Sequence, residues 1–213
     1  MNSSDVTRSH AEQRAAYSNF AHVVVGMLLA VVAALAALEV FGTVSGGWRY
    51  LWPALLVGTG LFVPLFIWLA AREHRVPLAR VLADPQQRQH FTLSGWMLLG
   101  GPAEMLALAG VLPTVLGLVW PLVLALIGYG FLSHTQHGRS EAMAKAVRAH
   151  RVLGGTLILA GLARGIEILS GIHEGTVGLG WVVLLFAAAL QFMWYREPDG
   201  AYAGGDGGSH VGH

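Results

Sequence analysis

The sequence predicts an all-α integral membrane protein, a bundle of six transmembrane helices with both termini in the cytoplasm. Three observations support this prediction. Of the 213 residues, 54% are hydrophobic and only 12% are charged, whereas soluble domains average about one quarter charged. The apolar residues fall into six runs, each close to the ~20 residues that cross a bilayer. The basic residues collect in alternate loops, as they do in proteins that thread a membrane repeatedly.

The six apolar runs divide the chain into three parts. Residues 1–19 are predicted to form a cytoplasmic amphipathic lead, residues 20–197 the six-helix transmembrane domain, and residues 198–213 a disordered tail rich in Gly and His. No small-residue cleavage site followed by a soluble domain comes after the first run, so we expect that run to be a retained span. The predicted spans are 20–41, 50–71, 91–112, 115–133, 151–169 and 177–195.

Pro113 separates the third apolar run from the fourth. Together the two runs are about twice as long as a single span. Because proline disfavours the helical conformation in the residue before it, a helix is expected to end there. We therefore expect two spans joined by a tight hairpin.

Tryptophan and tyrosine residues lie near the ends of several spans. Their rings are amphipathic and prefer the level of the lipid headgroups. We therefore expect aromatic belts at the membrane interfaces, formed by Trp48, Tyr50, Trp52, Trp181, Trp194 and Tyr195.

The positions of the basic residues predict the topology. Of the thirteen Lys and Arg residues, all but Arg49 and Arg164 lie in the lead, in or at the edge of the loops after spans two and four, or at the start of the C-terminal segment after span six. By the positive-inside rule these segments are cytoplasmic, and we expect the bacterial inner membrane. The net charge of +1 argues against a nucleic-acid surface. The expected partners are the lipid bilayer, a second copy of the chain, or a redox partner protein.

An internal repeat of three helical hairpins is a further expectation. In spans one and five a Gly follows a His by four residues and a Glu follows it by seventeen, giving His22, Gly26, Glu39 and His150, Gly154, Glu167. Span three carries a looser copy in His90, Gly95 and Glu104. The alternative is a chance match, which Gly- and Ala-rich helices allow easily. If the repeat holds, the histidines lie at the cytoplasmic ends and the carboxylates about 20–25 Å away.

His134 and His137 are candidate metal ligands. Their i, i+3 spacing places both imidazoles on one helical face, where they can chelate one ion. Residues 135–149 are expected to be a polar loop, with His150 beginning the next helix and folding back to complete a metal set of His134, His137 and His150. The competing interpretation is ordinary interfacial histidine without a ligand.

Haem b fits the same group of histidines. His22 and His90 are expected to enter the bundle at the same depth, so that imidazoles from different helices could supply two axial ligands. Arg148, Arg151 and Lys145 could pair with the propionates. A bare Fe, Zn or Cu ion is the alternative, since imidazole suits each of these. The absence of cysteine excludes thiolate sites.

Apart from Arg151, which begins the fifth span, four charged residues fall within the predicted spans. Glu104 and Arg164 lie at similar depth, and a buried charge in a membrane normally faces the bundle interior with a partner. We therefore expect an ion pair between these two residues. Glu39 and Glu167 are expected toward the outer side, where with that pair they could form a proton or ion path.

Three functions follow from these features. The leading hypothesis is a haem- or metal-binding electron-transfer protein, with membrane oxidoreductase as the candidate enzyme activity. The second is a transition-metal or proton-coupled transporter that uses the histidine cluster and the intramembrane glutamates. The third is a non-catalytic membrane subunit. The residues identify neither a substrate nor a transported species.

The topology can be tested by cysteine labelling. Gly138→Cys introduces a thiol into a chain that has none, in the segment predicted to be cytoplasmic. A membrane-impermeant maleimide should label it only after the cells are permeabilised. A cysteine at Gly46, in a loop predicted to face out, is the control that should react in intact cells. Labelling of Gly138→Cys in intact cells would reverse the assignment.

Overall fold

The computed structural model describes residues 3–73, 75–133, 141–172 and 175–196. Every regular element in these ranges is a helix, as the fold class predicts. A 3₁₀ helix, Gly46–Tyr50, precedes α2. The α-helices are α1 (Ser3–Val40), α2 (Leu51–Glu73), α3 (Leu78–Ala83), α4 (Pro85–Leu108), α5 (Pro113–Gly117), α6 (Val119–Ser133), α7 (Glu141–Ser170) and α8 (Gly175–Trp194).

The N-terminal lead is helical and continues without a break into the first apolar run. Residues 3–19 contain Ala, Glu, Gln and Arg, which are good helix formers, and they form the first half of α1. The Tyr17 hydroxyl donates a hydrogen bond of 2.9 Å to the Glu73 carboxylate. This contact joins α1 to the end of α2. The cytoplasmic position of the lead stays a prediction.

The hairpin predicted at Pro113 is confirmed. Helix α4 ends at Leu108, and Gly110 and Leu112 adopt left-handed backbone angles, with φ of 84° and 42°. The amide of Val111 donates to the Leu106 carbonyl at 2.9 Å, which closes the end of α4. Pro113 then occupies the first turn of α5, where its missing N–H costs no helical hydrogen bond.

The polar segment before His150 is more helical than predicted. Helix α7 begins at Glu141, so the expectation of a loop over residues 135–149 is wrong from residue 141 onward. The run EAMAKAVRA consists mainly of strong helix formers, which outweighs its polarity. His150 therefore lies about two and a half turns inside α7 instead of beginning it. It cannot fold back as a free helix end.

The six longest helices form a closed ring. Each packs against two neighbours in the order α1, α2, α4, α6, α7 and α8, and α8 packs against α1. Leu, Val and Ala side chains fill the interior, together with the tryptophans Trp52, Trp120 and Trp181, each no more than 1% exposed. The aromatic-belt prediction is therefore wrong for Trp52 and Trp181. It agrees with Trp48 and Trp194, which are 70% and 74% exposed.

The outward surface of the ring is apolar. Leu61, Leu159 and Ile166 are more than half exposed, and a continuous apolar surface of this kind suits lipid better than water. Four helical stretches are long and apolar enough to cross a membrane, and the apolar part of α8 is shorter. The fold is thus consistent with a membrane protein. The count of six spans stays a prediction, and the three-hairpin repeat is not confirmed.

Helices α6 and α7 approach each other through glycines. A Cβ atom built on Gly154 would lie 2.5 Å from the Gly128 carbonyl oxygen, and one on Gly128 would lie 2.5 Å from the Gly154 carbonyl oxygen. Neither position can hold a side chain without moving a backbone. Small residues allow this close packing, which is a common basis of helix association in membranes.

Gly154→Ala should destabilise the protein by about 1–3 kcal/mol because the methyl group overpacks the α6–α7 contact. Gly155→Ala is the matched control, since a Cβ there meets no atom within 4 Å. It should be neutral or slightly stabilising, because alanine favours the helix over glycine. Thermal unfolding of both variants in detergent measures the difference. Equal melting temperatures would contradict the described packing.

Candidate functional site

Two polar regions lie at opposite ends of the ring. The first, called the histidine end, is formed by His22, His90, His150 and Tyr195. The second, called the acidic cavity, is lined by Glu39, Glu104, Glu167, Arg49 and Arg164 together with apolar side chains.

At the histidine end, two imidazoles are held in the same way. Nδ1 of His22 lies 2.7 Å from the Ser18 carbonyl oxygen, and Nδ1 of His150 lies 3.0 Å from the Ala146 carbonyl oxygen. A carbonyl can only accept, so Nδ1 carries the hydrogen in both rings. A metal would therefore bind through Nε2. A hydrogen bond from the other ring nitrogen to a backbone carbonyl is usual for histidines that ligate metals.

The two imidazoles come from different helices but meet the same aromatic ring. The Tyr195 ring centroid lies 4.7 Å from that of His22 in α1 and 4.9 Å from that of His150 in α7. Phe192 stacks on His22, and Phe131 stacks on His150. This convergence arises because α8, which ends beside Tyr195, packs against both α1 and α7.

His90 of α4 completes the histidines that the structure brings together. His90 and His150 both lie within electrostatic range of His22. They lie at one end of the ring, as the matched depths predicted. Lys145, Arg148 and Arg151 are exposed on the first turns of α7.

Of the predicted metal set of His134, His137 and His150, the structure describes His150. His134 and His137 lie outside the described residues, and so does the predicted tail, residues 198–213. Within the described ranges, no group of three His, Asp or Glu side chains could hold a metal ion. The chelate therefore stays a prediction.

At the opposite end, the predicted pairing of Glu104 with Arg164 is confirmed. One guanidinium nitrogen of Arg164 lies 2.6 Å from Glu104, and the other lies 2.8 Å from Glu167. Both carboxylates are only 1% exposed. The guanidinium also lies over the Trp181 ring, 5.0 Å from its centroid, in the geometry of a cation–π interaction.

Sequence reasoning missed the second partner of Arg164. Glu167 follows Arg164 by three residues, and this spacing places both side chains on one helical face. That signal was present in the sequence. The prediction instead assigned Glu167 only to a path along the outer side.

Glu39 is held by a residue that was expected to face the membrane interface. The Trp52 indole N–H donates to one Glu39 oxygen at 2.6 Å, and Arg49 lies 3.3 Å from the other. Trp52 is therefore a buried hydrogen-bond donor. Arg49 was one of two basic residues that did not follow the topology pattern, and its partner is this carboxylate.

The acidic cavity collects all four of the charged residues predicted within the spans, with Arg49 in addition. Its volume is about 860 Å³, within the range of small-molecule sites. Three carboxylates against two guanidinium groups leave one formal negative charge. Phe41, Leu108 and Ile168 are among its apolar lining residues. The arrangement can bind a cation or hold a proton.

The buried charge network predicts strongly unequal mutational effects. Arg164→Met leaves two buried carboxylates without their cation and should destabilise by about 3–5 kcal/mol. Adding Glu104→Gln to Arg164→Met should recover part of that loss, because one stranded charge is removed. A thermal-stability cycle of the single and double variants measures the coupling.

Arg49→Met is the control for that cycle. Its side chain is 41% exposed, so solvent screens its pairing with Glu39 and the loss should stay below about 1 kcal/mol. Strict additivity of Arg164→Met and Glu104→Gln would show that the pair contributes nothing.

Comparison with known proteins gives no family for this chain. No protein-family model, no curated protein and no solved structure matches it.

Proposed function

We propose that the protein binds haem b at the histidine end and transfers electrons within the membrane, and that His22 and His150 would hold the haem. The observation that carries the proposal is the matched anchoring of these two imidazoles. Each donates Nδ1–H to a carbonyl one turn earlier in its own helix, so Nε2 is the nitrogen that would coordinate a metal. When bound, the haem supplies one-electron redox chemistry.

The number of available ligands favours haem over a bare ion. A bare Fe, Zn or Cu site usually needs three or more protein ligands. The described residues contain no such group. A bis-imidazole haem needs two histidines from different helices. His90 is the neighbouring imidazole that could replace either of them.

The surroundings of the two histidines suit a porphyrin. Phe131 and Phe192 provide flat apolar surfaces beside them. Tyr195 contacts both imidazoles, so a porphyrin held by both would displace its ring. Because Tyr195 follows the last residue of α8, that displacement would not break a helix.

Basic residues next to His150 support the binding of propionates. Arg148 and Arg151 are exposed on the same helix, two residues before and one residue after this histidine. A guanidinium pairs well with a carboxylate. Lys145 lies one turn further toward the start of α7 and is exposed as well.

The proposed function also includes a transmembrane topology and a subcellular location. The closed ring of helices supports six spans, and the basic loops support cytoplasmic termini. The equal spacing of His and Glu in spans one and five supports a hairpin repeat. We place the protein in the bacterial inner membrane with the histidine end at the cytoplasmic leaflet. A redox partner protein or a second copy of the chain would exchange electrons there.

Transport is the second candidate, and the acidic cavity favours it. In this hypothesis the histidines bind a proton or metal ion, and the glutamates at the opposite end release it. The two ends are separated by the packed interior, so this function requires a conformational change that opens a path. A non-catalytic subunit would need neither end to bind a ligand.

The haem proposal predicts a specific pattern of visible spectra. Purified full-length protein from haem-supplied cells should show sharp bands that change on reduction. His22→Ala and His150→Ala should each abolish or shift them, because each removes an axial ligand. His90→Ala is the matched control and should keep the bands. Tyr195→Ala should keep or raise the haem content.

Other outcomes separate the competing functions. A colourless protein that carries a stoichiometric transition metal by elemental analysis would replace haem with a bare ion. A colourless, metal-free protein would exclude both haem and a bare ion. Transport or the role of a non-catalytic subunit would then remain. Loss of the bands only in His90→Ala would move an axial ligand to α4.

A further inference from the structure

We propose that the acidic cavity is a binding site for a small organic cation that carries a primary ammonium group on an apolar body. The inference concerns the end of the bundle opposite the histidines. It does not depend on whether haem or a metal binds at the histidine end.

The charge of the cavity selects a cation. Its two guanidinium groups already have carboxylate partners, since Arg164 pairs with Glu104 and Glu167 and Arg49 pairs with Glu39. The three carboxylates still exceed the two guanidiniums by one negative charge. A monovalent cation would neutralise the cavity, whereas an anion would add to the imbalance.

Glu104 identifies where a hydrogen-bond donor is missing. Its side chain is only 1% exposed and lines the cavity. One of its oxygens, Oε1, accepts from Arg164, but the other, Oε2, is buried without a hydrogen-bond partner among the described residues. A buried carboxylate oxygen that lacks a donor loses its hydration without compensation. An ammonium N–H would supply both the donor and the positive charge.

The other cations are less suitable. A quaternary ammonium has the charge but no N–H to donate to Glu104. A divalent metal ion needs clustered ligands, and the described carboxylates form no group of three that could hold one. Arg164, wedged between two of these carboxylates, would also repel such an ion. A volume of about 860 Å³ greatly exceeds what an ion requires.

The apolar lining suits a carbon body on the ligand. Phe41, Leu108 and Ile168 line the cavity along with the charged residues. Ligand sites commonly combine such apolar walls with a few polar groups that fix orientation. A short alkylammonium presents both parts in one molecule.

Calorimetric titration of the purified full-length protein with n-butylammonium tests the proposal. We expect saturable binding that is clearly stronger than binding of 1-butanol, which lacks the charge, and of tetramethylammonium, which lacks the N–H. Equal binding of 1-butanol would reduce the site to an apolar cavity and overturn the proposal. Equal binding of tetramethylammonium would overturn the role of Glu104, and no saturable binding would overturn the site.

Two substitutions in the partly exposed wall of the cavity should change n-butylammonium binding in opposite directions. Glu39→Gln removes the excess negative charge and should weaken n-butylammonium binding about three- to fivefold. Arg49→Gln raises the excess and should strengthen binding by a similar factor. Neither change disrupts the Glu104–Arg164 pair, so folding should survive. Shifts in the same direction for both variants would contradict a site selected by charge.

The outcome is independent of the haem test. Binding of n-butylammonium is measured by heat and the haem by visible absorption. A colourless protein that binds n-butylammonium would therefore retain this inference and lose only the proposed function. A protein that shows haem bands but does not bind n-butylammonium would retain the proposed function and lose this inference.

Discussion

A guanidinium group buried among apolar helices is the constraint on which the acidic end of this protein depends. Removing Arg164 from water costs several kcal/mol unless its charge and N–H groups find partners. Glu104 from α4 and Glu167 from α7 supply the charge, and the Trp181 ring of α8 covers one face. Three helices are therefore held in one relative position. Glu39 extends the same region through Trp52.

The charged residues of the acidic cavity and the clustered histidines lie at opposite ends of the bundle, and the interior between them is closely packed. Glycines bring α6 and α7 into backbone contact, and alanines of α1 and α8 are almost fully buried. Seventeen residues separate the His from the Glu in both α1 and α7, which corresponds to about 25 Å along a helix. A ligand at one end would therefore lie far from a ligand at the other. Coupling between them would require the helices to move.

Much of this organisation was predictable because it follows from the position of each residue along its helix. Helical rise converts sequence position into position along the bundle, so His22, His90 and His150 were expected at one end and the glutamates at the other. Glu104 and Arg164 were expected to pair because two charges at one depth stabilise each other. Pro113 predicted the hairpin through its own backbone restrictions. Each of these predictions needed only a local backbone rule or the position of a residue along its helix, and each agreed with the structure.

The sequence by itself thus determined the helical fold class, the apolar surface and the matched positions of Glu104 and Arg164 along the bundle. Only the tertiary structure decided which helices are neighbours and how each is rotated. It buried Trp52 and Trp181, which depth alone placed at the interface, and it gave Arg164 a second carboxylate. It also brought His22 and His150 to the same tyrosine. Helical periodicity cannot predict these contacts, because the order of neighbouring helices and the rotation of each helix depend on how all the side chains pack together.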